Sequence, residues 1–83
     1  MYKILVEKQA QRQLEKIPEP DYSRVKKAIL DLAVNPRPAG CKKLKGRAGY
    51  RIRQGDYRVI YEISDKILIV FILETGNRKD IYD

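Results

Sequence analysis

Residues 50–63, YRIRQGDYRVIYEI, constrain this chain more than any other stretch. Apolar and polar side chains alternate on both sides of a QGD interruption, the pattern of two half-buried strands of period two. A two-residue loop at Gly55-Asp56, with glycine first, suits a type II′ turn. That loop fixes the register: Gln54 faces Tyr57, Arg53 faces Arg58, Ile52 faces Val59 and Arg51 faces Ile60. Opposed residues point to the same side of a sheet. One face therefore collects Tyr50, Ile52, Tyr57, Val59, Tyr61 and Ile63, a core surface on which these tyrosines are buried rather than offered to a ligand. The other collects Arg51, Arg53 and Arg58 with Ile60 and Glu62, a cationic surface.

Like charges directly across an antiparallel pair cost a few tenths to about 1 kcal/mol. Edge strands do use positive charge against aggregation, but a single arginine or an Arg-Glu pair would serve that purpose. Three arginines on one face point instead to an anionic ligand, provided the register holds; a slip of one residue would separate them.

Around this hairpin, YKILVE at residues 2–7 reads as a first strand. Ala10, Leu14 and Ile17 then recur at helical spacing until Pro18 and Pro20 break the pattern. Asp21 suits the N-cap of a second helix carrying Tyr22, Val25, Ala28, Ile29, Leu32 and Ala33 on one stripe. Asn35-Pro36, Pro38 and Gly40 end it and open a loop bearing Lys42, Lys43 and Lys45. After the hairpin, ILIVFIL at 67–73 is apolar throughout, as in a central strand covered on both faces, before a turn at Thr75-Gly76. Gly46, Gly49 and Gly55 also belong to turns. The expected fold is α+β, order β-α-α-β-β-β, with two antiparallel helices on an antiparallel sheet and no C-terminal helix. The 83 residues form one domain, 1–83.

The net charge of +7 is concentrated. Lys42, Lys43, Lys45, Arg47, Arg51, Arg53 and Arg58 face only Asp56 within residues 42–58. Such a patch is the footprint of a polyanion, nucleic acid first, or else a solvated face that maintains solubility. The chain has no histidine and one cysteine, Cys41, read as inert. Histidine-based hydrolysis, a His/Cys metal site and an internal disulfide are thereby excluded. No run approaches the ~18 apolar residues of a membrane span, and MYKILVEK is too short and charged for a signal peptide. A soluble cytoplasmic protein without membrane contact is expected.

The runs LKGRAGYRIRQGDYRVIYEI and ILIVFILETGNRKDIYD, taken together and in this order, resemble toxins of the RelE/ParE superfamily from type II toxin–antitoxin pairs. The resemblance spans essentially the whole chain, is strongest over residues 44–82, and is closer to RelE-type mRNA interferases. It implies a ribosome-dependent endoribonuclease that cuts mRNA in the A site by 2′-OH attack on the adjacent phosphate, without cofactor or metal. The positions matching the family's catalytic set are Arg51, Arg53, Arg58, Arg78 and Tyr82. Arg78 and Tyr82 would otherwise simply tie down the C-terminus. Lys42, Lys43, Lys45 and Arg47 would contact ribosomal RNA. Relatives usually carry lysines on the first hairpin strand. Arginine here cannot serve readily as a base, because its pKa exceeds ~12. The implied partners are a RelB-like antitoxin, the ribosome with mRNA, and operator DNA through the antitoxin complex. A ParE-like gyrase inhibitor and a catalytically weak antitoxin-bound corepressor stand as alternatives.

Overall fold

A computed structural model of the chain describes residues 1–79. Its elements are β1 (Lys3–Val6), α1 (Lys8–Glu15), α2 (Asp21–Asp31), β2 (Lys42–Lys43), β3 (Tyr50–Gln54), β4 (Tyr57–Ser64) and β5 (Ile69–Asn77). The strands form one sheet in the order β1-β5-β4-β3-β2. Two helices pack on this sheet, and among the described residues no helix follows β5.

The sheet is mixed rather than wholly antiparallel, because β1 joins β5 in parallel, Lys3 opposite Ile69 through Val6 opposite Ile72. The helical hairpin carries the chain away from β1 and back, so that α2 ends beside its start. There the Tyr2 N–H donates to the Ala33 carbonyl at 2.7 Å. Lys42 and Lys43, expected in a loop, instead form the short edge strand β2. Two lysines carry no strand signal of their own, and their pairing with Arg51 and Tyr50 of β3 creates the strand.

The helix periodicity translates directly into packing. Ala10, Leu14 and Ile17 from the first segment and Val25, Ile29 and Leu32 from the second meet Ile52, Val59, Tyr61, Val70 and Ile72 in one core. Asp21 is the first residue of α2 rather than its cap, because Pro20, with φ −83° and ψ −2°, already has helical geometry. The first-turn donor is met from one residue earlier: Ser23 N–H donates to Glu19 Oε1 at 3.0 Å and Ser23 Oγ to Glu19 Oε2 at 2.8 Å.

The apolar run lies in the interior strand β5, but that strand runs from Ile69 to Asn77, through the expected Thr75-Gly76 turn. Ile67 and Leu68 are exposed in the β4–β5 turn. Opposite the helices, cover is partial, from a small cluster of Leu44, Ile60 and Leu73. A bulge explains the longer strand. Tyr61 pairs with Ile72 and Ile60 with Glu74, which leaves Leu73 as the inserted residue. The insertion reverses the parity of β5, so Val70 and Ile72 before it and Thr75 after it all face the helices. Thr75 is fully buried there; its Oγ1 donates to the Ala10 carbonyl at 3.0 Å and its N–H to Gln13 Oε1 at 2.9 Å.

Candidate nucleic-acid interface

The β3–β4 hairpin has the register that the Gly55-Asp56 loop requires, including Arg53 opposite Arg58 and Arg51 opposite Ile60. Gly55 takes φ 61° whereas Asp56 stays at negative φ, as in a type II′ turn. On the sheet face away from the helices, one row reads Lys42, Arg51, Ile60, Glu74 across β2, β3, β4 and β5. The next reads Arg53, Arg58, Gly76. Gly76, expected in a turn, thus lies within β5 opposite Arg58. It contributes no side chain beside that guanidinium.

The three arginines share a face but not an environment. Arg53 is exposed, Arg58 half-buried, and Arg51 only 8% exposed. The expected open cationic surface is therefore deeper at Arg51. The loop after β2 accounts for this: Leu44 packs on Ile60, directly across from Arg51, and its N–H donates to the Gly49 carbonyl at 3.0 Å.

Arg78 follows β5 and is brought to the same end of the sheet by its backbone. Its N–H donates to the Asp56 carbonyl at 2.8 Å, tying the strand's end to the hairpin tip. Arg58, Arg78, Asp56, Asn77 and Lys79 line one cleft of about 480 Å³. Lys79 is a cation that the sequence reading did not include, although its place next to Arg78 was the available signal. Tyr82 lies outside the described residues.

The outer basic residues divide. Lys42 extends the arginine row, whereas Lys43 falls in the row of Tyr50 and Tyr61. Lys45 is exposed in the following loop. Arg47 reaches over to Glu74, Nη1 to Oε2 at 3.3 Å, so its charge is partly neutralised within the protein.

A second polar cluster lies away from this end. Arg37 holds Asp65 with both terminal nitrogens, at 3.3 and 3.0 Å, and its guanidinium lies 5.3 Å from the centre of the Tyr50 ring. Tyr2 donates its hydroxyl to Asp65 at 2.6 Å. Arg37 and Tyr2 together hold the Asp65 carboxyl below its ordinary pKa. These contacts tie the N-terminus, the loop after α2 and the β4–β5 turn together. Among the described residues no group of three or more His, Cys, Asp or Glu side chains gathers in a metal-holding arrangement, and no helix is long and apolar enough to cross a membrane.

The family model for the ParE toxin of the type II toxin–antitoxin system parDE matches residues 4–82. The chain belongs to the RelE/ParE superfamily of type II toxins. A chain of the RelBE2 toxin–antitoxin complex of Mycobacterium tuberculosis resembles this toxin with a TM-score of 0.81 and 31% identity, over 93% of this chain and 98% of that one. A chain of the archaeal RelE–RelB complex of Pyrococcus horikoshii gives 0.79 and 29%, over 96% and 98%. The intact RelBE complex of E. coli gives 0.79 and 25%, over 93% and 96%. A search of the curated proteins gives no match. The toxin thus combines a family match described for ParE with whole-chain structural likeness to RelE complexes.

Proposed function

We propose that this toxin is a ribosome-dependent endoribonuclease that cleaves mRNA in the A site and so arrests translation. The observation that carries the reading is the like-charge pair Arg53–Arg58 beside the side-chain-free Gly76, at the same sheet end as Arg78. Such a concentration of guanidinium groups opposes stability and suits a phosphate whose charge grows during reaction.

In the reaction, the RNA 2′-oxygen attacks the adjacent phosphorus. The O2′–P bond forms as the P–O5′ bond breaks, leaving a 2′,3′-cyclic phosphate and a free 5′-hydroxyl. Arg58 and Arg53 hold the non-bridging oxygens and stabilise the dianionic transition state, the type of preorganised electrostatic contribution that dominates many enzymes. Arg51, deeper in the same face, supports their field. Arg78 approaches the leaving oxygen from the cleft, and Tyr82 stacks on a base or exchanges a proton. Lys42, Lys43 and Lys45 contact ribosomal RNA backbone. The 2′-proton passes to water or to a ribosomal RNA group, since arginine is a poor base, and the departing 5′-oxygen takes up a proton from Tyr82 or water. Alignment of the strand on the ribosome supplies much of the remaining acceleration.

In the cell the toxin is held by a RelB-like antitoxin, through which it joins an operator-bound complex. The likeness to RelE–RelB complexes supports that partner. The second reading, a ParE-like inhibitor of DNA gyrase, is favoured by the description of the matching family.

Ribosomes programmed with a defined message distinguish the two. Primer extension is expected to find 5′ ends within the A-site codon, dependent on ribosomes and absent with Arg58→Ala. No cleavage by folded wild-type protein, with loss of gyrase supercoiling activity in its presence, establishes the second reading instead.

A further inference from the structure

A second cleft, of about 360 Å³, lies around the strand ends from the arginines, between the C-terminal turn of α1 and the hairpin. Gln13, Lys16, Ile17, Tyr57, Thr75, Gly76 and Asn77 line it. Asn77 also lines the Arg58–Arg78 cleft, so the two share a wall. Its volume falls at the lower end of the range for small-ligand sites.

The polarity of this cleft is fixed by the backbone. Gln13 Oε1 accepts the Thr75 N–H at 2.9 Å, and Asn77 Oδ1 accepts the Lys79 N–H at 3.0 Å. Only the oxygen of a primary amide can accept from an N–H, so both side chains are oriented and each is left with its NH₂ group. Among the described residues neither NH₂ meets a protein acceptor. Two carbonyls of the last turn of α1 are also engaged, Gln13 O by the Lys16 N–H and Leu14 O by the Ile17 N–H. Lys16 adds three further donors and Tyr57 adds an aromatic surface. The cleft therefore offers donors around a ring-bearing wall.

Resting on the nuclease reading, we propose that this cleft is a base-specificity subsite. It takes an RNA nucleotide next to the phosphate held by Arg58 and prefers a keto base, uracil or guanine. The base edge meets the Gln13 and Asn77 NH₂ groups, and its face lies toward Tyr57. Uracil O4 or guanine O6 accepts from those donors, whereas the amine that cytosine or adenine carries at the corresponding position opposes them donor to donor.

The test uses the full chain with 2′-O-methyl UUU and CCC, which bind without being cut. Their affinities and the side-chain NH₂ resonances of Gln13 and Asn77 are followed in a ¹⁵N-labelled sample. UUU is expected to bind roughly fivefold or more tightly than CCC, as about one discriminating hydrogen bond gives, and to shift both NH₂ pairs. In the doubly substituted Gln13→Glu, Asn77→Asp protein each carboxylate still accepts its backbone N–H, so the fold survives. Affinity for both oligonucleotides falls with the added negative charge, and the U-over-C ratio is expected to vanish or invert. Equal binding of UUU and CCC that depends on Arg58 overturns the subsite and leaves the nuclease reading intact. Absence of any oligonucleotide binding, with ribosome cleavage also absent, overturns both.

Discussion

Arg53 on β3 lies directly across the ladder from Arg58 on β4, and beyond Arg58 the next position is Gly76. Two cations and a residue without a side chain thus share one row. Substituting Arg53→Glu places opposite charges across the ladder. The variant is expected to gain about 0.5–1 kcal/mol in urea unfolding while losing most ribosome-dependent cleavage. A variant that is both less stable and fully active would remove the trade-off on which the site assignment depends.

Tyr61 is fully buried, and its hydroxyl donates to the Pro36 carbonyl at 2.7 Å. Burial pushes its pKa upward, so the phenol stays neutral as a donor. Tyr61→Phe leaves the Pro36 carbonyl unsatisfied and is expected to cost about 1–3 kcal/mol by denaturant unfolding.

Asp65 supplies an acid-sensitive contribution to stability. Its pKa is held below the ordinary value, chiefly by hydrogen bonds from Arg37 and then Tyr2. The contribution is therefore present above the unfolded-state pKa, near ~4, and is lost as pH falls through the folded-state value. At neutral pH the wild type should melt above Asp65→Asn, and the difference should shrink as pH falls below about 4. A constant difference across that window would show that the carboxylate's charge is unimportant there.

Gly49 and Gly40 separate two costs of a side chain at positive φ. A Cβ at Gly49, where φ is 116°, would lie 2.8 Å from the Tyr61 carbonyl oxygen, whereas one at Gly40, φ 89°, meets nothing within 4 Å. Gly40→Ala should cost about 1–2 kcal/mol from conformation alone. Gly49→Ala should cost more, because the β4 backbone must also shift. Thermal unfolding of the pair tests the order.

The hairpin was legible residue by residue because a two-residue loop fixes register and period-two alternation fixes facing. The helices were legible for a similar reason, their stripes being set by Leu14, Ile17, Val25 and Ile29. Where the sequence reading fell short, non-local pairing decided the outcome. Lys42 and Lys43 are a strand only because β3 lies beside them, and the bulge at Leu73 moves the end of β5 past Thr75-Gly76. The burial of Arg51 depends on the Leu44 loop folding over β4, which no local pattern announces. Of the candidate site, the facing of Arg51, Arg53 and Arg58 could be read in advance. The backbone tie from Arg78 to Asp56 could not, since it joins segments more than twenty residues apart.

The strand order also sets a schedule for synthesis. Lys3–Val6 leaves the ribosome well before Ile69–Ile72, its partner in the sheet. Until those later residues have emerged, the earliest strand has no neighbour and α1 no sheet to cover. The arginine end is likewise incomplete until Arg78 has been added and has reached Asp56. A growing chain therefore cannot complete its arginine end until the strand that closes the sheet has emerged.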